Sequence, residues 1–134
     1  MAGTGPAFSA YASAGQSIAS STETRLTQFD TESFDTNGCF ASSRFTPNVA
    51  GYYLLMAQVG CSGTTTGAYI AKNGASLKGS SAVAPLLSGW GSGANPTNIA
   101  YANGTTDYFD VYVYQASGSS VNAYASNSFS GCLL

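Results

Sequence analysis

The chain has 134 residues, enough for one domain with a sizeable core, and 44% of them are hydrophobic. Only 7% are charged, against about 25% in a typical soluble domain. Its four basic residues, Arg25, Arg44, Lys72 and Lys78, are scattered and the net charge is −2, so the chain has neither the basic track a nucleic acid needs nor a polybasic segment for anionic lipid.

In chain order, the first six residues read as a lead-in and 7–134 as a single domain. The start has no basic segment followed by an apolar run, so no secretory signal is expected there. Strands are predicted at 8–13, 25–29, 39–45 and 51–61. Further strands are predicted at 68–72, 75–78, 98–102, 108–115 and 121–134. Turn signals separate them at Asn37-Gly38, Asn73-Gly74, Asn103-Gly104 and Ser117-Gly118. Period-two alternation dominates and helical periodicity is absent, the signature of a β-sandwich or barrel. The longest nearly apolar run, 49–59, is too short to span a bilayer.

Two strands carry most of the information. From Tyr108 to Tyr114, Phe109, Val111 and Val113 share one face, and Tyr108, Asp110, Tyr112 and Tyr114 share the other. The tyrosine face reads either as a contact surface or as a face covered by a loop. From Tyr52 to Val59 both faces are apolar: Tyr52, Leu54 and Met56 on one, Tyr53, Leu55, Ala57 and Val59 on the other. A sandwich sheet has one dry side. The second apolar face calls for another subunit or for cover by the chain's own loops.

Residues 79–97 break the rhythm with Gly and Ser around the apolar patch 83–87. Trp90, with Pro85 and Asn95 nearby, is a candidate outward contact or ligand loop; the plainer reading is that Trp90 anchors the loop in the core.

Catalysis is not expected. The absence of histidine removes Ser-His-Asp and Cys-His chemistry and the common zinc sites. Asp30, Glu32, Asp35, Asp107 and Asp110 read as exposed turn carboxylates rather than a glycosidase pair. Cys39, Cys61 and Cys132 form neither a disulfide framework nor a zinc pattern; buried small hydrophobes, a functional thiol and one disulfide all remain open. No cofactor or metal is expected. Asn103-Gly104-Thr105 is a glycosylation sequon that reads as a turn.

Five motifs in order resemble the C1q-like family, a relative of the tumour necrosis factor fold. They are Pro6-Ala7-Phe8-Ser9-Ala10, the run from Arg44-Phe45-Thr46-Pro47 to Gly51-Tyr52-Tyr53, Ile70-Ala71-Lys72-Asn73-Gly74, the stretch from Asp107 to Tyr114, and Phe129-Ser130-Gly131-Cys132-Leu133. The resemblance implies an all-β, ten-stranded jelly-roll sandwich, a homotrimer and no enzymatic activity. Phe8, Tyr53, Leu55, Phe129 and Leu133 are then expected at the threefold interface. The chain departs from the family in having no collagen repeat and no calcium-type aspartate cluster.

The phrases Phe34-Asp35-Thr36-Asn37-Gly38, Ser43-Arg44-Phe45-Thr46-Pro47 and Asn103-Gly104-Thr105-Thr106-Asp107-Tyr108 resemble members found in tailed bacteriophages. That resemblance implies a virion location and a role as capsid decoration or fibre-associated protein, with the capsid or fibre as partner. Because the chain starts with Met1 and contains little besides the domain, a stand-alone decoration is the expectation. The alternative is an adhesin or lectin on a phage tail or bacterial surface that holds a host glycan.

Overall fold

A computed structural model describes residues 4–86 and 93–134. Fourteen strand segments lie in the described residues. One sheet has five strands in the order β11 (Thr97–Ala102), β7 (Gly51–Gln58), β14 (Ser128–Leu133), β1 (Ala7–Tyr11) and β4 (Thr31–Asp35). The facing sheet runs β10 (Ala82–Ala84), β8 (Thr66–Lys72), β12 (Phe109–Tyr114), β6 (Arg44–Phe45) and β5 (Phe40–Ala41). In that sheet β3 (Thr24–Arg25) also pairs with β12, and β9 (Ala75–Ser76) with β8. A ribbon of β2 (Gln16–Ile18) and β13 (Val121–Ala123) closes one end.

This is the expected all-β sandwich. Several of its strands are broken into pieces of two or three residues, which is why fourteen segments stand where ten strands were expected. The first and last strands, β1 and β14, pair at the centre of one sheet, with Ala10 opposite Phe129.

The core is aromatic. Phe8 stacks on Phe45 at 4.3 Å and on Phe40 at 4.8 Å, and meets Phe129 edge-on at 4.9 Å. Tyr53 packs edge-on against Phe45, and its hydroxyl donates to the Val49 carbonyl at 2.8 Å, so its polar end is satisfied. Gly131 allows this packing. A Cβ there would lie 2.8 Å from Leu55 Cδ2 and 3.0 Å from both Phe8 Cε1 and the Leu54 carbonyl oxygen. Gly131→Ala is therefore expected to cost about 1–3 kcal/mol by overpacking, read as a lowered urea midpoint.

At one end of the sandwich two turns lock together. Asn103 Oδ1 accepts from the N–H groups of Thr105, Thr106 and Asp107, and its Nδ2 donates to Thr106 Oγ1, so the sequon is a turn with its amide in use. Asp107 accepts from Asn73 Nδ2 at 2.8 Å and from the Asn103 N–H, and pairs with Lys72 at 3.1 Å. Lys72 also donates to the Tyr101 carbonyl, bridging the two sheets. The Asn73 side chain first, and Lys72 second, hold the Asp107 carboxyl below the ordinary aspartate value. A lowered folded value stabilises the loop above the ordinary value of 3.8, and that support is lost as pH falls through the lower folded value. The Asn103 amide resonance should follow this acid titration, and Asp107→Asn should abolish it.

The sequence reading missed strand β2 and three further features. The 39–45 strand is a hairpin, β5–β6, turned by Ser42 and Ser43 at φ 52° and 59°. Serine gives a weaker signal for that left-handed turn than Asn-Gly. Strand β4 was missed because it pairs with β1 across a bulge at Ser9/Ala10 and its side chains are largely exposed, which erases the alternation. The predicted 121–134 strand divides into β13 and β14 around Asn127, whose side chain bonds Gly60 and Gln28.

Candidate functional site: an uncharged apolar sheet face

Alternation along β7 sets which face each residue takes. Tyr53, Leu55 and Ala57 point into the core; Tyr52, Leu54 and Met56 point away from it. The expected threefold residues are thereby corrected. Phe8, Tyr53, Leu55 and Phe129 are fully buried inside one protomer and have no surface left to offer another copy. Leu133 also turns inward, where it is half-buried against the core beside Gly5 and Gly51. Both faces of β7 are apolar, so residue type could not separate core from contact. The pairing partners do.

The outward face of the five-stranded sheet is continuous. Register places Tyr52 opposite Tyr101, Leu54 between Ile99 and Cys132, and Met56 between Thr97 and Ser130. The row continues through Ser130 to Ser9 and Phe34. Tyr52 and Tyr101 meet edge-on at 5.4 Å. None of the outward side chains on β11, β7, β14 and β1 is charged. Tyr52 is 61% exposed, Ile99 56% and Phe34 51%. Singly exposed apolar residues are ordinary, but a contiguous set on one flat sheet is not.

Two shallow depressions flank Met56. One of about 250 Å³ lies toward Gln58, Asn95 and Thr97, and one of about 180 Å³ toward Phe34, Ser130 and Cys132. They form because β14 presents serine beside the larger side chains of its neighbours. Asn95, a predicted loop contact, lines the first depression; Pro85 is exposed, away from the strands of this face. Trp90 lies outside the described residues.

Cys39 and Cys132 are free thiols. Cys39 and Cys61 are buried, and burial pushes both thiols above their ordinary value, away from the reactive thiolate. Cys132 is half-buried on the outward face. Among the described residues no cluster of three or more His, Cys, Asp or Glu side chains could hold a metal ion.

The tyrosine face of β12 is the outer surface of the other sheet. Tyr112 stacks parallel on Tyr69 at 5.2 Å, and Arg44 lies 3.9 Å above the Tyr108 ring. Burial first, then the hydrogen bond to Glu23, pushes the Tyr69 hydroxyl up to about 12. Asp110, expected to be an exposed turn carboxylate, is fully buried mid-strand. Two arginines far away in sequence close over it: Arg25 Nε donates to Oδ2 at 2.6 Å, and Arg44 donates to the same oxygen from Nη2 at 2.8 Å and Nε at 3.0 Å. The Asp110 hydrogen bond holds the Arg44 guanidinium above its ordinary value.

No protein-family model matches the chain. No curated protein matches it. Solved structures do. The globular domain of zebrafish complement 1qA protein superposes with a TM-score of 0.66 at 17% identity, over 96% of this chain and 97% of that one. Murine APRIL gives 0.72 at 12% identity, over 97% and 99%. Eiger TNF from S. frugiperda gives 0.68 at 9% identity, over 97% and 93%. At these identities the likeness is one of fold: the chain has the C1q/TNF-like jelly roll.

Proposed function

We propose that the chain is a non-enzymatic homotrimeric structural protein of a tailed-bacteriophage virion, where it decorates the capsid or sits on a fibre. The observation that carries the trimer is the uncharged face centred on Tyr52, Leu54, Met56, Ile99 and Tyr101. A second copy suits it better than a foreign partner, because the face has no charge with which to select one. The trimer expected from the C1q-like resemblance supports the same occupant.

The virion assignment is supported by the phage-like phrases around Phe34, Arg44 and Asn103 and by the 7% charge content, which suits a surface packed into a larger assembly. Trimers also fit the local threefold positions of icosahedral shells. The mechanism is burial and shape: one sheet closes the trimer, and the other sheet with the loops faces outward. Immunogold electron microscopy of purified virions tests the location. Label on heads or fibres is the expected result; label confined to the host cell surface would reject it.

A further inference from the structure

We propose that the outer sheet carries a binding site for the carboxylate of an acidic saccharide, formed by Arg25 and Arg44, which both reach Asp110 from the same edge of β12. Asp110 Oδ2 receives three guanidinium N–H bonds, while Oδ1 is buried with no hydrogen-bond partner. Two positive groups thus share one negative group, and the local balance is +1. No other carboxylate among the described residues pairs with either arginine. Glu23 accepts from the neutral hydroxyl of Tyr69, one strand over from Tyr112, and keeps its charge, whereas Asp107 is paired with Lys72 and bonded to Asn73.

The guanidiniums are fixed but not enclosed. Arg25 gives Nε to Asp110 and Nη2 to the Ser42 carbonyl, and its side chain is 25% exposed. Arg44 gives Nε and Nη2 to Asp110, rests on Tyr108, and is 38% exposed. Each keeps its Nη1 unclaimed among the described residues. An incoming carboxylate therefore meets two oriented donors whose side-chain freedom is already spent.

The surroundings favour a sugar over an acidic peptide. Tyr108, just before β12, and Tyr112 within it flank Asp110, and neither hydroxyl has a hydrogen-bond partner among the described residues. Arg44 covers one face of the Tyr108 ring and Tyr69 one face of the Tyr112 ring, so the two rings offer their edges and hydroxyls to the hydroxyls of a saccharide. The neighbouring outward residues Ala41 and Ser76 are small and uncharged, and offer no pocket for an apolar side chain. This site lies on the sheet opposite the proposed trimer face and does not rest on the trimer reading.

The test is an NMR titration of the full chain at low salt with sodium glucuronate, methyl glucoside and sodium acetate in separate arms. Glucuronate should bind with a Kd of about 1–10 mM, moving the Arg25 and Arg44 Nε–H signals and the Tyr112 ring. Methyl glucoside should bind at least about tenfold more weakly, and salt near 0.5 M should suppress the glucuronate response. Arg44→Gln, with an amide spectrum that confirms the fold, should weaken glucuronate at least about tenfold. The Leu54→Asp chain should bind as the parent does, which separates this site from the trimer. Acetate equal to glucuronate would overturn the sugar assignment in favour of a bare carboxylate such as an acidic peptide's. No arginine response in the parent chain would overturn the site and leave the cluster purely structural.

Discussion

Leu54→Asp is expected to convert the protein from trimer to folded monomer. Leu54 lies at the middle of the outward face, between Ile99 and Cys132. In one protomer its side chain is half-buried and borders solvent, so a carboxylate there stays hydrated and the sandwich remains folded. In a trimer closed by this face the same carboxylate loses its water and gains no cation, because the face has none to give. A loss of about 3 kcal/mol per copy corresponds to roughly a hundredfold weaker association at each contact, enough to dissociate the assembly at micromolar concentration. Sedimentation velocity reads the outcome. Val83→Asp is the control: Val83 is 73% exposed on the other sheet, and its substitution should leave the sedimentation coefficient unchanged.

The second large effect is Asp110→Ala. It leaves Arg25 and Arg44 facing each other without their shared counter-ion. Removing one partner of a buried ion cluster costs about 3–5 kcal/mol, and the partial exposure of both arginines places this case at the low end. For a domain of this size that lowers Tm by on the order of 10 °C. High salt should recover part of the deficit by screening the two like charges. Asp110→Asn, which keeps the shape and one acceptor, should fall between parent and alanine variant. Calorimetry at low and high salt checks both. An alanine variant as stable as the parent would show that solvent already supplies what Asp110 provides.

The sandwich was legible because strands such as β12 and turns such as Asn73-Gly74 carry their own local signal. The need for a second burial was also legible, because β7 is apolar on both faces. Which face met the core was not. That depends on β7 pairing with β11 and β14, partners that a single strand's composition does not encode. Phe8 and Phe129 were therefore assigned to the wrong surface for the same reason that their aromatic character was noticed: they are the core.

Asp110 shows the complementary failure. Its alternation with Tyr108 and Tyr112 placed it on the correct side of β12. Its burial comes from Arg25 and Arg44, 85 and 66 positions away, and only the sheet order brings β3 and β6 beside β12. A sequence with four scattered cations gives no hint that two of them meet. One signal was available: Arg44 and Asp110 both lie in motifs shared with the C1q-like pattern, so their juxtaposition could have been asked of the fold.

The central claim is that the uncharged face formed by β11, β7, β14 and β1 joins three copies. The most direct test is the native mass in solution, by light scattering on a size-exclusion column across a dilution series. The account predicts a mass three times the 13.6 kDa of one chain, holding on dilution. A single-chain mass at every concentration would contradict it, and the exposed surface of Tyr52, Ile99 and Tyr101 would then require cover from a different protein.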